Sequence, residues 1–135
     1  MLPTVRDVFL AAQLQARDPA PWGQPVHENS PGVYVIATDD DRIVYIGRSR
    51  RALRKRLREF YRHRYGASSP HRGGQAVLLL NRPLLVYWAT TADYAAAENS
   101  MLEYFKAQTG GFPYANRVRS ARVGTTFALP QGFLP

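Results

Sequence analysis

The chain has 135 residues, 45% of them apolar, no cysteine and a net charge of +8. At roughly 100–200 residues per domain this length holds one core, and the missing cysteines exclude a disulfide scaffold, a cysteine zinc site and a thiol nucleophile. No apolar run approaches the roughly 20 residues of a membrane span, and Val8–Ala12 is too short for a secretory signal core, so a cytoplasmic protein with no membrane partner is expected.

Residues 5–16 predict a short amphipathic helix, with Val5, Val8, Phe9 and Ala12 at helical spacing. The segment from Asp18 to Pro25, with three prolines, reads as a loop. Val33–Thr38 and Arg42–Gly47 are rich in β-branched and aromatic residues and flank Asp39-Asp40-Asp41, which predicts a hairpin. Residues 51–65 predict a helix, 66–74 a loop, 75–81 a short helix and Leu84–Ala89 a third strand. Thr90 or Thr91 is expected to cap a helix over about 92–108, which Gly110-Gly111 would stop, and the final 25 residues read as irregular. The order predicts a single small α+β domain, a mostly antiparallel three-stranded sheet flanked by helices.

The charge is local. Residues 48–64 hold nine of the 18 basic residues against one acid, Glu59, whereas residues 1–47 carry three bases and six acids. Sixteen of the 18 are arginine, whose flat fork of donors pairs two phosphate oxygens at once. Such a stripe is a footprint for a polyanion. At 100° per residue, Leu53, Leu57, Phe60 and Tyr61 define the packed face of its helix, and Arg54, Lys55, Arg58 and Arg62 the solvated one. Arg56 and His63 share the flank beside the packed face. On the later helix, Tyr94, Ala97, Met101, Leu102 and Phe105 form an apolar face that includes Glu98, while Glu103 points away. A carboxylate so placed loses hydration and must be neutralised or meet a cation, either an arginine or a Mg²⁺ ion shared with phosphate oxygens and waters. Three histidines at 27, 63 and 71 have no zinc-ligand spacing, and no Walker or dinucleotide glycine loop occurs.

Gly32-Val33-Tyr34, ten residues, then Tyr45-Ile46-Gly47 resembles the signature of the GIY-YIG nuclease superfamily. That group includes the N-terminal domain of excinuclease C and stand-alone endonucleases. The likeness continues through Arg56-Leu57, Glu98 and Pro113-Tyr114-Ala115-Asn116. Similar proteins place the helix arginine eight residues after the last signature glycine, which here is Lys55. Arg56 fits if the turn over 49–52 holds one extra residue, and it is preferred because Leu57 follows it and Lys55 falls on the exposed face. The resemblance divides the chain into an N-terminal helix and loop over 1–31, a nuclease core over 32–116 and an irregular tail over 117–135.

What the resemblance implies is hydrolysis of a DNA phosphodiester with one Mg²⁺ or Mn²⁺ ion and no small-molecule cofactor. Glu98 would hold the metal, Arg56 would face the non-bridging oxygens, Tyr45 would orient the water and Tyr34 support it. For either phenol to act as a base, Arg48, Arg56 or the metal must lower its pKa. His63 is a further candidate acid. Arg48, Arg50, Arg51, Arg54, Lys55, Arg58, Arg62, His71 and Arg72 would contact DNA, duplex or branched. Gly32, Gly47 and Asn116 would support the site from behind, Gly47 as a bend beside the substrate and Asn116 through backbone near the metal. A repair, restriction or mobile-element role would suit such an enzyme, and a homodimer would allow cleavage of both strands. The alternative is a nucleic-acid-binding module of the same fold that cleaves little, with salt-sensitive binding that survives loss of Glu98.

Overall fold

The computed structural model describes residues 2–61 and 83–117. Helix α1 (Val5–Ala11) is followed by strands β1 (Ala20–Pro21), β2 (Gly32–Thr38) and β3 (Ile43–Ser49). Helix α2 (Leu53–Tyr61), strand β4 (Leu84–Thr90), helix α3 (Tyr94–Thr109) and the single turn α4 (Tyr114–Arg117) complete the described order. The fold is α+β. Its antiparallel sheet has four strands rather than the expected three, ordered β1-β4-β2-β3. The extra strand is only two residues long, Ala20 on Val86 and Pro21 on Leu85. Its prolines suppress any local strand pattern, and a proline fits there because an edge strand can do without one N–H.

The expected hairpin forms. Asp41, at φ +66°, closes a three-residue turn at whose base the Thr38 N–H donates to the Arg42 carbonyl and the Arg42 N–H to the Thr38 hydroxyl. A bulge lets Val44 and Tyr45 both pack toward one side, so Ile36 pairs with Tyr45 and Ala37 with Ile43. Helix α1 ends earlier than its apolar spacing suggests. Gln13 adopts φ +59°, and the Leu14 and Gln13 N–H groups return to the Phe9 and Leu10 carbonyls, a Schellman closure made without glycine. Helix α3 begins at Tyr94 without a side-chain cap, and the Thr91 hydroxyl accepts from the Asp93 N–H just before it. Gly110 stops it at φ +87°, as expected. Tyr114–Arg117 is helical where irregular chain was expected. The expected loop over 66–74, the helix over 75–81 and the tail beyond Arg117 lie outside the described residues.

All seven residues of β2 are buried, because the sheet is covered on both sides. On one side Tyr34, Ile36, Val44, Tyr45 and Val86 pack with Leu53 and Leu57 of α2 and with Tyr114 and Ala115 of α4. On the other, Val33, Val35, Ala37 and Ile46 pack with Val5, Val8 and Phe9 of α1 and with Ala97, Met101, Leu102 and Phe105 of α3. The first N–H groups of α2 would be orphans, and the Ser30 and Glu28 carbonyls accept from Leu53 and Arg54, which fixes that helix over the start of β2. No described helix is long and apolar enough to cross a membrane.

Candidate active site on the tyrosine face

Tyr34 stands opposite Gly47 on one neighbouring strand and Trp88 on the other. Tyr45 lies two residues back from Gly47 on the same side, and the two phenol rings sit 6.0 Å apart, tilted by 34°. Gly47 is not the expected bend, since it continues β3 in register. A Cβ there would fall 2.5 Å from the Tyr34 ring and 2.7 Å from that of Tyr45. The missing side chain is what lets the phenols lie over the backbone. Gly32 meets a similar limit, because a Cβ on it would collide with the Ala89 carbonyl of β4.

Helix α2 brings Arg56 onto this face. Leu53 and Leu57 are fully buried, and Arg56, between them in sequence, turns its half-buried guanidinium toward the Tyr34 hydroxyl while Lys55 stays exposed. Burial works to discharge Arg56, but Tyr34, Tyr45 and Glu59 outweigh it and its pKa is raised, so it remains a cation. Burial, with Tyr45 second, drives the Tyr34 phenol well above its ordinary value, and Arg56 opposes without winning. Arg56 alone therefore does not bring this phenol below its ordinary value, and Tyr34 keeps its proton at neutral pH. Glu59, which the sequence reading leaves unassigned, sits between Arg51 at 2.8 Å and Arg56 at 4.0 Å. Its position as the only acid of the basic stretch, three residues after Arg56, was the available signal.

Glu98 is buried to 8% exposure on the apolar face of α3, as the helical periodicity predicts. That helix packs on the opposite side of the sheet from α2. Glu98 lies 3.8 Å from Nε of half-exposed Arg48, the register partner of Val33. Its charge reaches Tyr34 as the weakest of the influences raising that phenol. Among the described residues no three His, Cys, Asp or Glu side chains gather. The donor set is one carboxylate, which suits Mg²⁺ or Mn²⁺ that keep most of their coordination for waters and phosphate oxygens.

Asn116 is buried 70 positions away from Ile46 in sequence and bonds both of its backbone groups. Its Oδ1 accepts from the Ile46 N–H at 2.9 Å and its Nδ2 donates to the Ile46 carbonyl at 2.8 Å. The amide thus stands in for a neighbouring strand and fixes the segment between Tyr45 and Gly47. Gly110 and Gly111 lie between α3 and the turn that carries Asn116.

Arg50, Arg51, Arg54, Lys55 and Arg58 are all exposed, with Arg54 Nε donating to Asn29 Oδ1 at 2.6 Å. Arg62, His63, His71 and Arg72 lie outside the described residues. A cavity of about 690 Å³ opens elsewhere, beside α1 between Phe9, Leu14, Asp41 and Tyr87, and none of the tyrosine-face residues lines it. The two tyrosines themselves are buried, and exposed arginines of the Arg50–Arg58 stretch lie nearby in sequence on and before α2. Comparisons with family models, curated proteins and solved structures return no match to the chain.

Proposed function

We propose that the chain is an endonuclease that nicks DNA by hydrolysing a phosphodiester, using one Mg²⁺ or Mn²⁺ ion held by Glu98. The observation that carries this reading is the convergence of Tyr34, Tyr45 and the charged Arg56 over side-chain-free Gly47. The exposed arginines of α2 hold the backbone by charge, a binding mode that releases counterions and weakens with salt. Arg56 then meets the non-bridging oxygens, where negative charge grows in the transition state. Tyr34 stays protonated and donates a hydrogen bond, which leaves the orientation of water to Tyr45. When bound, the metal ion supplies Lewis-acid polarisation of the phosphate. A GIY-YIG-like nuclease of repair or restriction, acting in the cytoplasm and pairing with a second copy to cut both strands, accords with this reading.

One observation favours a second reading, a binding module with little cleavage. Arg48 at 3.8 Å already compensates the buried Glu98 charge without a metal. A cleavage panel of duplex, flap, junction and single-stranded DNA with Mn²⁺ separates the two. The nuclease reading expects nicking by the wild type and a loss of about 10²–10³-fold in Arg56→Ala, the scale of removing one donor to a developing anion, with a loss in Glu98→Ala as well. Wild-type protein that binds every substrate and cuts none leaves the binding module.

A further inference from the structure

Trp88 lies directly opposite Tyr34 in the β2–β4 register, so Gly47, Tyr34 and Trp88 form one row across the sheet. The indole packs against the same cluster as Tyr34 and Leu57, on the side that Arg56 also covers. It is half-buried, yet its Nε1 is buried and has no hydrogen-bond partner among the described residues. Arg56 Nε is in the same condition. Two buried N–H donors therefore belong to the two residues that neighbour Tyr34. A buried indole N–H ordinarily finds an acceptor, and one left without costs its full desolvation.

We infer that Trp88 is a substrate contact which takes an unpaired base beside the scissile phosphate. The inference rests on the nucleic-acid reading of the tyrosine face and adds the form of the substrate. Neighbouring strands are separated by about 4.8 Å, so a nucleotide whose phosphate meets Tyr34 and Arg56 has its base within reach of the indole. The exposed part of the half-buried ring supplies the stacking surface. Stacking of this kind tolerates any base, because every base has a π-face. A base inside a duplex has already given both faces to its neighbours. The site accordingly selects single strands, flaps and frayed ends over continuous duplex.

The chain's two tryptophans make this measurable. The other, Trp22, is tied by its backbone N–H to the carbonyl of Leu84, which lies four residues along β4 from Trp88 and about 13 Å from it at the rise of an extended strand. In a Trp22→Phe background Trp88 is the sole emitter. Titration with a short oligothymidylate in EDTA, where no metal-dependent cleavage proceeds, is expected to quench that emission saturably. Duplex of equal length is expected to quench it little, and anisotropy of labelled oligonucleotide reports binding in parallel. In the full chain, Trp88→Ala is expected to weaken single-strand binding by roughly 5- to 150-fold, with Trp88→Phe within a few-fold of wild type. Binding without quenching, equal quenching by duplex, or no binding at all overturns the inference. Quenching without nicking in Mn²⁺ upholds it while the nuclease reading fails. Nicking of flaps unchanged by Trp88→Ala does the reverse.

Discussion

The two sides of the sheet are built from alternate residues of the same strands, yet they differ in kind. Val33, Val35, Ala37 and Ile46 pack with the apolar faces of α1 and α3, the helix that also carries buried Glu98. Tyr34, Tyr45 and Trp88 carry a hydroxyl or an indole donor into the opposite layer, where Arg56 joins them. The first side is filled with apolar side chains, and the second also holds polar atoms, placed there by single-residue alternation along β2. Alternate residues of one strand thus face two differently composed layers, and the proposed active site draws Tyr34 from one and Glu98 from the helix covering the other.

Substitutions on the two sides should separate accordingly. The largest effect is expected from Phe9→Ala, which empties a fully buried ring position on the aliphatic side. It should cost about 3–5 kcal/mol in denaturant unfolding, with nicking per folded molecule unchanged. A fall in that specific activity would break the division. Gly47→Ala should cost about 1–3 kcal/mol through overpacking against the two phenols, and here nicking should fall further than the unfolded fraction accounts for. Asn116→Ala leaves the Ile46 N–H and carbonyl buried without their partner, a loss of about 1–3 kcal/mol. If its nicking rate follows only the folded population, Asn116 is a brace and no more.

The smallest effect is in pH. Because the Tyr34 pKa is raised in the folded state, its contribution to stability is complete below the ordinary phenol value of about 10 and is lost as pH rises beyond it. Tyr87 and Tyr114 shift the same way through burial. The unfolding midpoint should drop between about pH 9 and about pH 11, and Tyr34→Phe should flatten part of that drop. An unaltered slope in Tyr34→Phe would count against the burial of this phenol.

Features written in local periodicity were legible in advance. The hairpin followed from two β-branched runs around three aspartates, Glu98 from helical projection, and Arg56 from projection together with the resemblance that expects Leu57 after it. What required the third dimension was any fact about neighbours. The reason for Gly47 is the Tyr34 ring across the strand gap, which no spacing within β3 contains. The row from Gly47 to Trp88 depends on β4 pairing with β2, a register joining residues more than fifty positions apart. Strand β1 was hidden because its pairing is imposed by β4 on a proline-bearing loop, against local propensity. The same limit concealed that α3, which carries Glu98, packs on the opposite side of the sheet from α2.

The bidentate clasp of Asn116 on Ile46 has a consequence for the molecule in a crowd. An outer strand with free peptide groups is a template on which another chain can grow. On the β3 margin the amide of Asn116 occupies that template at its centre. On the β4 margin the Arg17 and Trp22 N–H groups take the Trp88 and Leu84 carbonyls, and Pro19 and Pro21 between them have no N–H to offer outward. The first margin is blunted by a side chain, and the second by prolines and by an outer strand only two residues long. A chain carrying Asn116→Ala should therefore gain a tendency toward strand-by-strand self-association in addition to its loss of stability.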